Sequence, residues 1–242
     1  MASDNKTTPS LSIILPTYNE RKNIEIFIPL LAQKFSNIPH EIIVVDDSSP
    51  DGTGEEVSKL ARKIPNVALI SRKEKSGIGN ALRHGYNAAK NDIILSCDSD
   101  LSFSVDDVMK LYDKIVSENY DVIIGSRHSA ASGYETPNFG IKLKYAVSRI
   151  GNKLLRALFR VPVRDFSVNC RAIRRSVWRS FTTKENGNFF LFEMIFLAQR
   201  AGARIGEVPV TFKDRQYGSS KINHVAEVPK AFLKMLVYLL RR

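Results

Sequence analysis

Short apolar runs alternate with amphipathic segments through the first half of the chain. The runs predict strands at Leu11–Leu15, Ile42–Val45, Val67–Ile70, Ile93–Ser96 and Asp121–Gly125. Helical spacing of apolar residues predicts helices at Asn23–Phe35, Glu55–Lys63, Ile78–Ala89 and Val105–Ser117. This alternation predicts an α/β fold, a doubly wound, mostly parallel sheet whose ligands bind at the carboxyl ends of the strands.

The pattern changes from Gly133 onward. Helices are predicted at Asn138–Phe159, Phe189–Ala201 and about Val225–Leu240, with a strand at Arg204–Phe212. The first of these helices is basic and amphipathic, because leucine, valine and isoleucine are interleaved with lysine and arginine. No internal repeat and no linker marks a second independent domain.

Composition and charge narrow the classes of protein. The chain has 242 residues, of which 43% are hydrophobic and 25% charged, so a disordered or fibrous protein is excluded. Its two cysteines, Cys97 and Cys170, exclude a disulfide framework and a thiolate zinc cluster, and both are expected to be reduced thiols. Residues 1–138 carry 15 basic and 19 acidic side chains, whereas residues 139–242 carry 21 and 6, so the net charge of +11 comes from the second part. An anionic partner is indicated, whether nucleic acid, a membrane surface or a phosphorylated substrate.

The termini show no recognisable membrane or export signal. The polar N-terminus lacks the apolar core of a signal peptide. The best apolar stretch, Ala231–Leu240, is interrupted by Lys234 and is far below the roughly 20 residues that a transmembrane helix needs. Since the sequence stops at Arg242, the alternatives are a complete chain and one truncated before a membrane segment.

Two acidic pairs follow predicted strands. Asp98 and Asp100 can face one divalent cation that bridges the phosphates of a nucleotide. The alternative is that they cap the next helix or close a turn. Asp46 and Asp47 can accept hydrogen bonds from a base or ribose, and an Asx-turn that closes the strand is an equal alternative.

The segment from Arg72 to Gly79 combines cations with glycines ahead of a helix, which suits a phosphate. It lacks the spacing of a P-loop, and a Rossmann glycine motif is also missing. The four histidines have no metal-ligand spacing, and most are expected at the surface. No nucleophile elbow or Cys/His pair indicates covalent catalysis.

Six segments taken together carry a resemblance. They are PTYNE at 16–20, VVDDSSPDGT at 44–53, CDSDLS at 97–102, GSR at 125–127, RDFSVNCRAIRR at 164–175 and EVPVTFKDRQYGSSK at 207–221. From about Leu11 to Lys221 the chain resembles family 2 glycosyltransferases of the GT-A fold, and among them the dolichol-phosphate mannose synthases and related polyprenyl-phosphate hexosyltransferases.

The resemblance implies a donor site and a metal site. The residues expected to bind the donor nucleotide are Pro16, Tyr18, Glu20, Asp47, Lys75, Asp98, Ser99, Arg215 and Lys221. Those expected around a divalent cation, Mg²⁺ or Mn²⁺, are Asp98, Asp100 and Ser102. Arg215 and Lys221 would lie on a mobile loop that closes over the diphosphate.

The resemblance also implies an acceptor site and a mechanism. Arg127, Lys144 and Ser148 would bind the acceptor phosphate, although a solvated basic helix face is an equal reading of Lys144. Asp100, Arg127, Arg215 and Lys221 form the implied catalytic set. A phosphate monoester is already anionic and needs no general base. Because its attack would be in line with the leaving group, the anomeric carbon would be inverted and the product would be a β-linked polyprenyl phosphate sugar.

The chain departs from the family pattern at two places. Ser102 stands where a glutamine is frequent, and Val168-Asn169 replaces a Ser-Gly pair. The first departure bears on the metal ligands, and the second on the transferred sugar or the acceptor site. The resemblance implies GDP-mannose as the leading donor, with UDP-glucose as the close alternative.

Three hypotheses follow. The first is a membrane-surface hexosyltransferase acting on dolichyl or another polyprenyl phosphate, at the cytoplasmic face of a membrane, with a possible anchoring subunit or missing transmembrane segment. The second is a soluble family 2 glycosyltransferase with a sugar or protein acceptor. The third is a nucleic-acid-binding protein, which is disfavoured because the basic residues alternate with aliphatic and not aromatic side chains. The first divides the chain into a flexible N-terminus (1–10), a glycosyltransferase domain (11–223) with an acceptor or interface helix at about 138–160, and a juxtamembrane amphipathic helix (224–242).

Overall fold

The computed structural model describes residues 8–129, 131–132, 134–135, 139–215, 217 and 234–240, with only the backbone described for 134–135 and 139–147. Seven strands form one sheet in the order β3-β2-β1-β4-β7-β5-β8, and β6 and β9 form a two-stranded sheet. The strands are β1 (Leu11–Thr17), β2 (His40–Asp46), β3 (Val67–Ser71), β4 (Ile93–Cys97), β5 (Val122–Ser126), β6 (Tyr134–Glu135), β7 (Cys170–Arg174), β8 (Ile205–Pro209) and β9 (Phe212–Lys213).

Helices cover the sheet. They are α1 (Arg21–Lys34), α2 (Thr53–Ala61), α3 (Ile78–Ala88), α4 (Val105–Ser117), α5 (Phe139–Phe159), α6 (Arg175–Trp178) and α7 (Phe190–Arg200), and residues 234–240 are also helical. The predicted doubly wound, mostly parallel α/β fold is confirmed. Helix α5 covers residues 139–159 of the predicted helix 138–159, while residue 138 and the part of the predicted helix 225–240 before residue 234 lie outside the described residues.

The strand order places a topological switch between β1 and β4. The chain runs outward from β1 through β2 to β3, then returns to β4 on the other side of β1. Right-handed crossovers put the helices of the outward path and the return helix α3 on opposite faces of the sheet. Loops that leave β1 and β4 therefore diverge and open a crevice at the carboxyl ends of these strands, where doubly wound sheets bind ligands.

One central strand is missing from the sequence prediction. β7 lies between β4 and β5 and runs antiparallel to both, with Cys97 opposite Cys170. Both cysteines are free thiols and fully buried. The first five strands are parallel to one another, as predicted, but β4 and β5 are not neighbours, because β7 comes from a distant part of the chain and inserts between them.

Two strand boundaries also differ from prediction. Pro16 lies inside β1 rather than ending it, which is possible because pairing with β4 stops at Ile14. The predicted strand 204–212 is two strands, since β8 ends at Pro209 and β9 belongs to the small sheet.

The basic second part of the chain is not a separate tail. It supplies β7, β8 and α7, and the Arg171 side chain is fully buried among the carbonyl oxygens of Phe166, Val168 and Leu191. Residues 234–240 pack on α7, where the Tyr238 hydroxyl donates to Glu193 over 2.6 Å. The two parts of opposite net charge therefore build one sheet.

Candidate active site

Three loops at the carboxyl edge of the sheet contain non-glycine residues with positive φ. They are Asn19 after β1 (58°), Ser48 after β2 (51°) and Leu101 after β4 (62°). Backbone of this kind costs energy and tends to occur at functional sites. These loops carry most of the predicted donor residues, so the structure brings the candidate residues to one edge.

Asp98 and Asp100 follow β4 and do not cap the next helix. Helix α4 is capped by Ser104, whose Oγ accepts from the Asp107 amide over 3.1 Å. Asp100 accepts a hydrogen bond from the Ser102 amide at Oδ1 over 3.1 Å, which closes a turn, and its Oδ2 faces Arg215. The capping alternative for this pair is thus excluded.

The surroundings of Asp98 favour a bound cation. Burial first, and repulsion from Asp100 second, raise the pKa of Asp98 well above the ordinary value for an aspartate. The Asn169 amide opposes this shift by donating to Asp98 Oδ1 over 3.1 Å. Two carboxylates that resist sharing negative charge are stabilised when a divalent cation enters between them.

The donor atoms suit Mg²⁺ or Mn²⁺ completed by phosphate and water oxygens. Ser102 is 1% exposed, and its Oγ has no hydrogen-bond partner within the described ranges. Since buried polar atoms are normally satisfied, this oxygen is a candidate ligand for a cation. No group of three or more His, Cys, Asp or Glu side chains forms a metal cluster in the part of the chain that is described. The predicted set Asp98, Asp100 and Ser102 therefore fits a nucleotide-bridged cation better than a protein-only site.

Arg215 reaches the acidic pair from β9. Its Nη2 lies 3.1 Å from Asp100 Oδ2. Strand β9, which precedes Arg215, contacts the loop after β4 that carries Asp98 and Asp100. The Lys213 amide donates to the Ser102 carbonyl over 3.0 Å, and the rings of Phe103 and Phe212 pack edge to face. The structure therefore places Arg215 against the acidic pair, and its contact with a diphosphate stays a prediction. Lys221 lies outside the described residues.

The two aspartates after β2 have different partners. Asp46 accepts from the Ser49 amide and hydroxyl and from Thr17, so it closes the turn. Asp47 pairs with Arg72 over 2.8 Å, with both side chains nearly buried. Burial raises the pKa of Asp47 although the Arg72 guanidinium acts against it. The turn reading holds for Asp46, and Asp47 remains the candidate for binding the nucleoside.

Other predicted nucleoside residues converge on the same edge. The Lys75 ammonium lies 4.1 Å from the centre of the Tyr18 ring, a cation–π contact that joins the loops after β1 and β3. The Glu20 amide donates to Thr53, and its carboxylate accepts from Asn23 over 2.6 Å. The Ser99 hydroxyl donates to the Pro16 carbonyl over 3.3 Å, linking the two strands at the switch point.

Arg127 lies in a buried ion pair with Asp165. Its Nε and Nη2 donate to the two Asp165 oxygens over 2.8 and 3.0 Å, and Nη2 also donates to Ser167. Asp165 is fully buried, which alone would raise its pKa, but the Arg127 guanidinium outweighs burial and lowers the pKa of Asp165 to about 2. This carboxylate is ionised at neutral pH and is a poor proton acceptor.

The second predicted acceptor residue joins this pair. The Ser148 hydroxyl lies 3.2 Å from that of Ser167 and accepts from Asn152 over 3.2 Å. Arg127 and Ser148 are thus brought together through Ser167. Lys144 lies in α5 one turn before Ser148, and its side chain is outside the described residues.

His128 is an exception among the histidines. Its side chain is only 4% exposed, whereas most histidines were expected at the surface. Burial lowers the pKa of His128, with Asp165 at 3.9 Å opposing the shift, so the imidazole is neutral at pH 7.

Sequence reasoning missed two contributors to the site. Asp165 and Asn169 stand in the segment before β7, and each contacts a predicted site residue 38 or 71 positions away. A signal existed for Asn169, because it is one of the two departures from the family pattern. The partner of either residue could not be found without knowing where β7 inserts.

Comparisons with known proteins agree with this geometry. Residues 12–181 match the family described as glycosyl transferase family 2. The chain is 32% identical over 216 residues to a dolichol-phosphate mannosyltransferase of Pyrococcus furiosus, covering 88% of this chain and 59% of that protein. It is 30% identical to a polyprenol monophosphomannose synthase of Mycolicibacterium smegmatis, covering 90% and 83%, and 30% identical to an undecaprenyl-phosphate mannosyltransferase of Micrococcus luteus, covering 87% and 86%.

Solved structures share the fold. A glucosyl-3-phosphoglycerate synthase from Mycobacterium tuberculosis, in complex with Mn²⁺, UDP and phosphoglyceric acid, superposes with a TM-score of 0.73 at 20% identity, covering 96% of this chain and 78% of that one. A mannosyl-3-phosphoglycerate synthase from Rubrobacter xylanophilus gives a TM-score of 0.68 at 15% identity, covering 96% and 74%. At these identities the likeness shows the GT-A fold and nothing finer.

Proposed function

The chain belongs to glycosyl transferase family 2, and from this membership we propose that it transfers mannose from a nucleotide sugar to a polyprenyl phosphate. Relatives named as polyprenyl-phosphate mannosyltransferases support the substrate class. Because the chain spans 59% of the length of the Pyrococcus furiosus relative, the activity of a longer protein does not transfer to it by similarity alone.

The state of Asp165 is the observation that carries the proposal. A hydroxyl acceptor needs a carboxylate or imidazole to take its proton. At the acceptor side, the fully buried Asp165 is held in a bidentate ion pair with its pKa at about 2, and the buried His128 is remote from solvent. A phosphate acceptor arrives already ionised, so a site in which the Asp165 carboxylate is held in an ion pair and does not serve as a base suits it.

On the donor side, the leaving diphosphate requires neutralisation. Asp98, Asp100 and Ser102 are proposed to hold Mg²⁺ or Mn²⁺, which when bound supplies positive charge to the diphosphate oxygens. Arg215, 3.1 Å from Asp100, is proposed to move its charge to the leaving oxygen, with Lys221 beside it. Asp47, Tyr18, Lys75, Pro16 and Glu20 would bind the nucleoside, with GDP-mannose as the donor.

On the acceptor side, Arg127 and Ser148 would orient the incoming phosphate together with Lys144. Arg127 Nε and Nη2 donate to Asp165 and Ser167, which fixes the position of the guanidinium beside the acceptor. A rigidly held guanidinium offsets repulsion between the acceptor phosphate and the donor diphosphate. In-line attack would then invert the anomeric carbon and give a β-linked product.

We propose that the protein works at the cytoplasmic face of a membrane, as a peripheral protein or as part of an anchored one. The exposed side of α5 supports this, because Ile150 (70% exposed) and Leu154 (43%) lie among the exposed Arg149, Lys153 and Arg156. In the part of the chain that is described, no helix is both long and apolar enough to cross a bilayer. Residues 11–223 would form the catalytic domain and 224–242 the juxtamembrane helix.

The proposal is tested by kinetics with purified protein, Mn²⁺ and a polyprenyl phosphate. GDP-mannose, UDP-glucose and UDP-N-acetylglucosamine are compared as donors, and GDP-mannose is expected to give the highest kcat/KM. Arg127→Ala and Lys144→Ala should raise the acceptor KM, whereas Lys63→Ala, an exposed lysine just beyond α2, should not. Full acceptor affinity in both acceptor-side variants would favour a sugar or protein acceptor instead.

A further inference from the structure

A series of hydrogen-bonded polar side chains leads from the buried Tyr86 to Asp98. The Tyr86 hydroxyl lies 2.8 Å from the Ser96 hydroxyl, Ser96 donates to Asn169 Oδ1 over 2.7 Å, and Asn169 Nδ2 donates to Asp98 Oδ1 over 3.1 Å. Tyr86, Ser96 and Asn169 are each at most 2% exposed. Buried polar side chains are retained where each is satisfied by the next, as they are here.

The donor and the acceptor of each hydrogen bond in this series of side chains can be assigned. Ser96 has one proton, and because it is donated to Asn169 the hydroxyl must accept the proton of Tyr86. The amide oxygen of Asn169 is therefore fixed toward Ser96 and its NH₂ group toward Asp98. The opposite orientation would place the amide oxygen of Asn169 against the Asp98 carboxylate. The hydrogen bond from Ser96 therefore holds Asn169 with its NH₂ group toward Asp98.

The topology explains how Asn169 reaches Asp98. β7 pairs antiparallel with β4, with Cys170 opposite Cys97, so the residue before Cys170 lies beside the residue after Cys97. Two residues along β7, the Arg171 guanidinium binds the carbonyls of Phe166 and Val168 and fixes the segment that leads to Asn169. The antiparallel strand thus delivers a rigid donor to the acidic loop.

We propose that Asn169 is a positioning residue for the metal and diphosphate site, fixing the rotation of the Asp98 carboxylate so that Oδ2 faces the cation. Among the described residues Oδ2 accepts no hydrogen bond, whereas Oδ1 is occupied by Asn169. The inference rests on the proposed function, since it assumes that Asp98 binds a nucleotide-bridged cation. It assigns a role to one of the residues that departs from the family pattern.

The test is Mn²⁺ binding in the presence of GDP, followed by electron paramagnetic resonance of the free ion. Asn169→Ala should weaken Mn²⁺ binding about 10- to 100-fold. Ser96→Ala should weaken it less, because Asn169 keeps its amide but loses the fixed orientation, and Tyr86→Phe should weaken it least. In turnover assays Asn169→Ala should raise the apparent KM for Mn²⁺, with kcat recovered at saturating Mn²⁺.

Asn91→Ala is the matched control. Asn91 lies at the opposite end of β4, and its amide donates to the Leu11 carbonyl over 2.8 Å and to Glu41 over 3.4 Å. Its loss should lower Tm without changing the Mn²⁺ dissociation constant. A merely structural role of Asn169 would give this same result.

The outcomes separate the inference from the proposed function. Wild-type protein that fails to bind Mn²⁺ with GDP would overturn both. Wild-type binding together with unchanged binding in a folded Asn169→Ala variant would overturn the role of Asn169 alone. If Asn169→Ala does not fold, Ser96→Ala decides, and wild-type affinity in that variant would overturn the inference.

Discussion

The ion pair between Arg127 and Asp165 makes a quantitative prediction for Asp165→Asn. The pKa of Asp165 is about 2 in the folded protein against an ordinary value of 3.8. At about 1.4 kcal/mol per pH unit, this depression corresponds to about 2 kcal/mol of stability above the unfolded-state pKa. The substitution also leaves the partly buried Arg127 guanidinium without its counter-ion, so we expect a total loss of roughly 3 kcal/mol at pH 7.

The sign of the pH dependence follows from the direction of the shift. A depressed carboxylate pKa stabilises the folded state above about pH 4, and this contribution is lost as the pH falls toward 2. The wild-type protein should therefore lose about 2 kcal/mol more than Asp165→Asn over that interval. Urea denaturation at pH 7 and at steps down to pH 2 measures both quantities.

The control is Asp113→Asn, which removes an exposed carboxylate on α4 and should change stability by less than about 0.5 kcal/mol. In turnover assays, Asp165→Asn should raise the acceptor KM, because Arg127 loses its fixed position. A loss of stability below about 1 kcal/mol would refute the buried ion pair. An unchanged acceptor KM with kcat reduced about a hundredfold or more would instead make Asp165 a catalytic base.

Three further predictions concern the metal site and the core. Arg215→Ala removes the guanidinium that lies 3.1 Å from Asp100, so Mn²⁺ should bind the nucleotide-free protein several-fold more tightly. Turnover should fall roughly 10²- to 10³-fold, because the leaving diphosphate loses a positive charge. Weaker Mn²⁺ binding in titrations would contradict this. Gly85→Ala would place a Cβ 2.3 Å from Ile14 Cγ2 and should cost about 1–3 kcal/mol in urea denaturation, whereas Gly151→Ala, with open space around it, should not destabilise. Chelation with EDTA should abolish turnover and change Tm little, and adding Mn²⁺ or Mg²⁺ should restore turnover. Turnover that survives chelation would exclude the proposed role of the metal.

The sequence was sufficient for the features that depend on local pattern. Apolar runs located the first five strands, and helical periodicity located α5 to within one residue. Because the carboxyl ends of parallel strands meet at one edge, the acidic pairs after β2 and β4 could be assigned to a common site before the structure was known.

The features that the sequence did not reveal depend on long-range pairing. β7 is a five-residue strand whose position between β4 and β5 is decided by packing of the whole sheet. The contacts of Arg127 with Asp165 and of Asn169 with Asp98 follow from that insertion. Charge counting has the same limit, since Arg171 contributes to the positive charge of the second part yet lies fully buried in β7.

The central claim is that the acceptor nucleophile is a phosphate, and one comparison tests it most directly. The purified protein is given Mn²⁺, GDP-mannose and either a polyprenyl phosphate or the corresponding polyprenol, and the lipid products are identified by mass spectrometry. The account predicts a mannosyl-phosphate lipid from the polyprenyl phosphate and no product from the alcohol. Mannose transfer to the alcohol, or no transfer to the phosphate under conditions where GDP-mannose is bound, would contradict it.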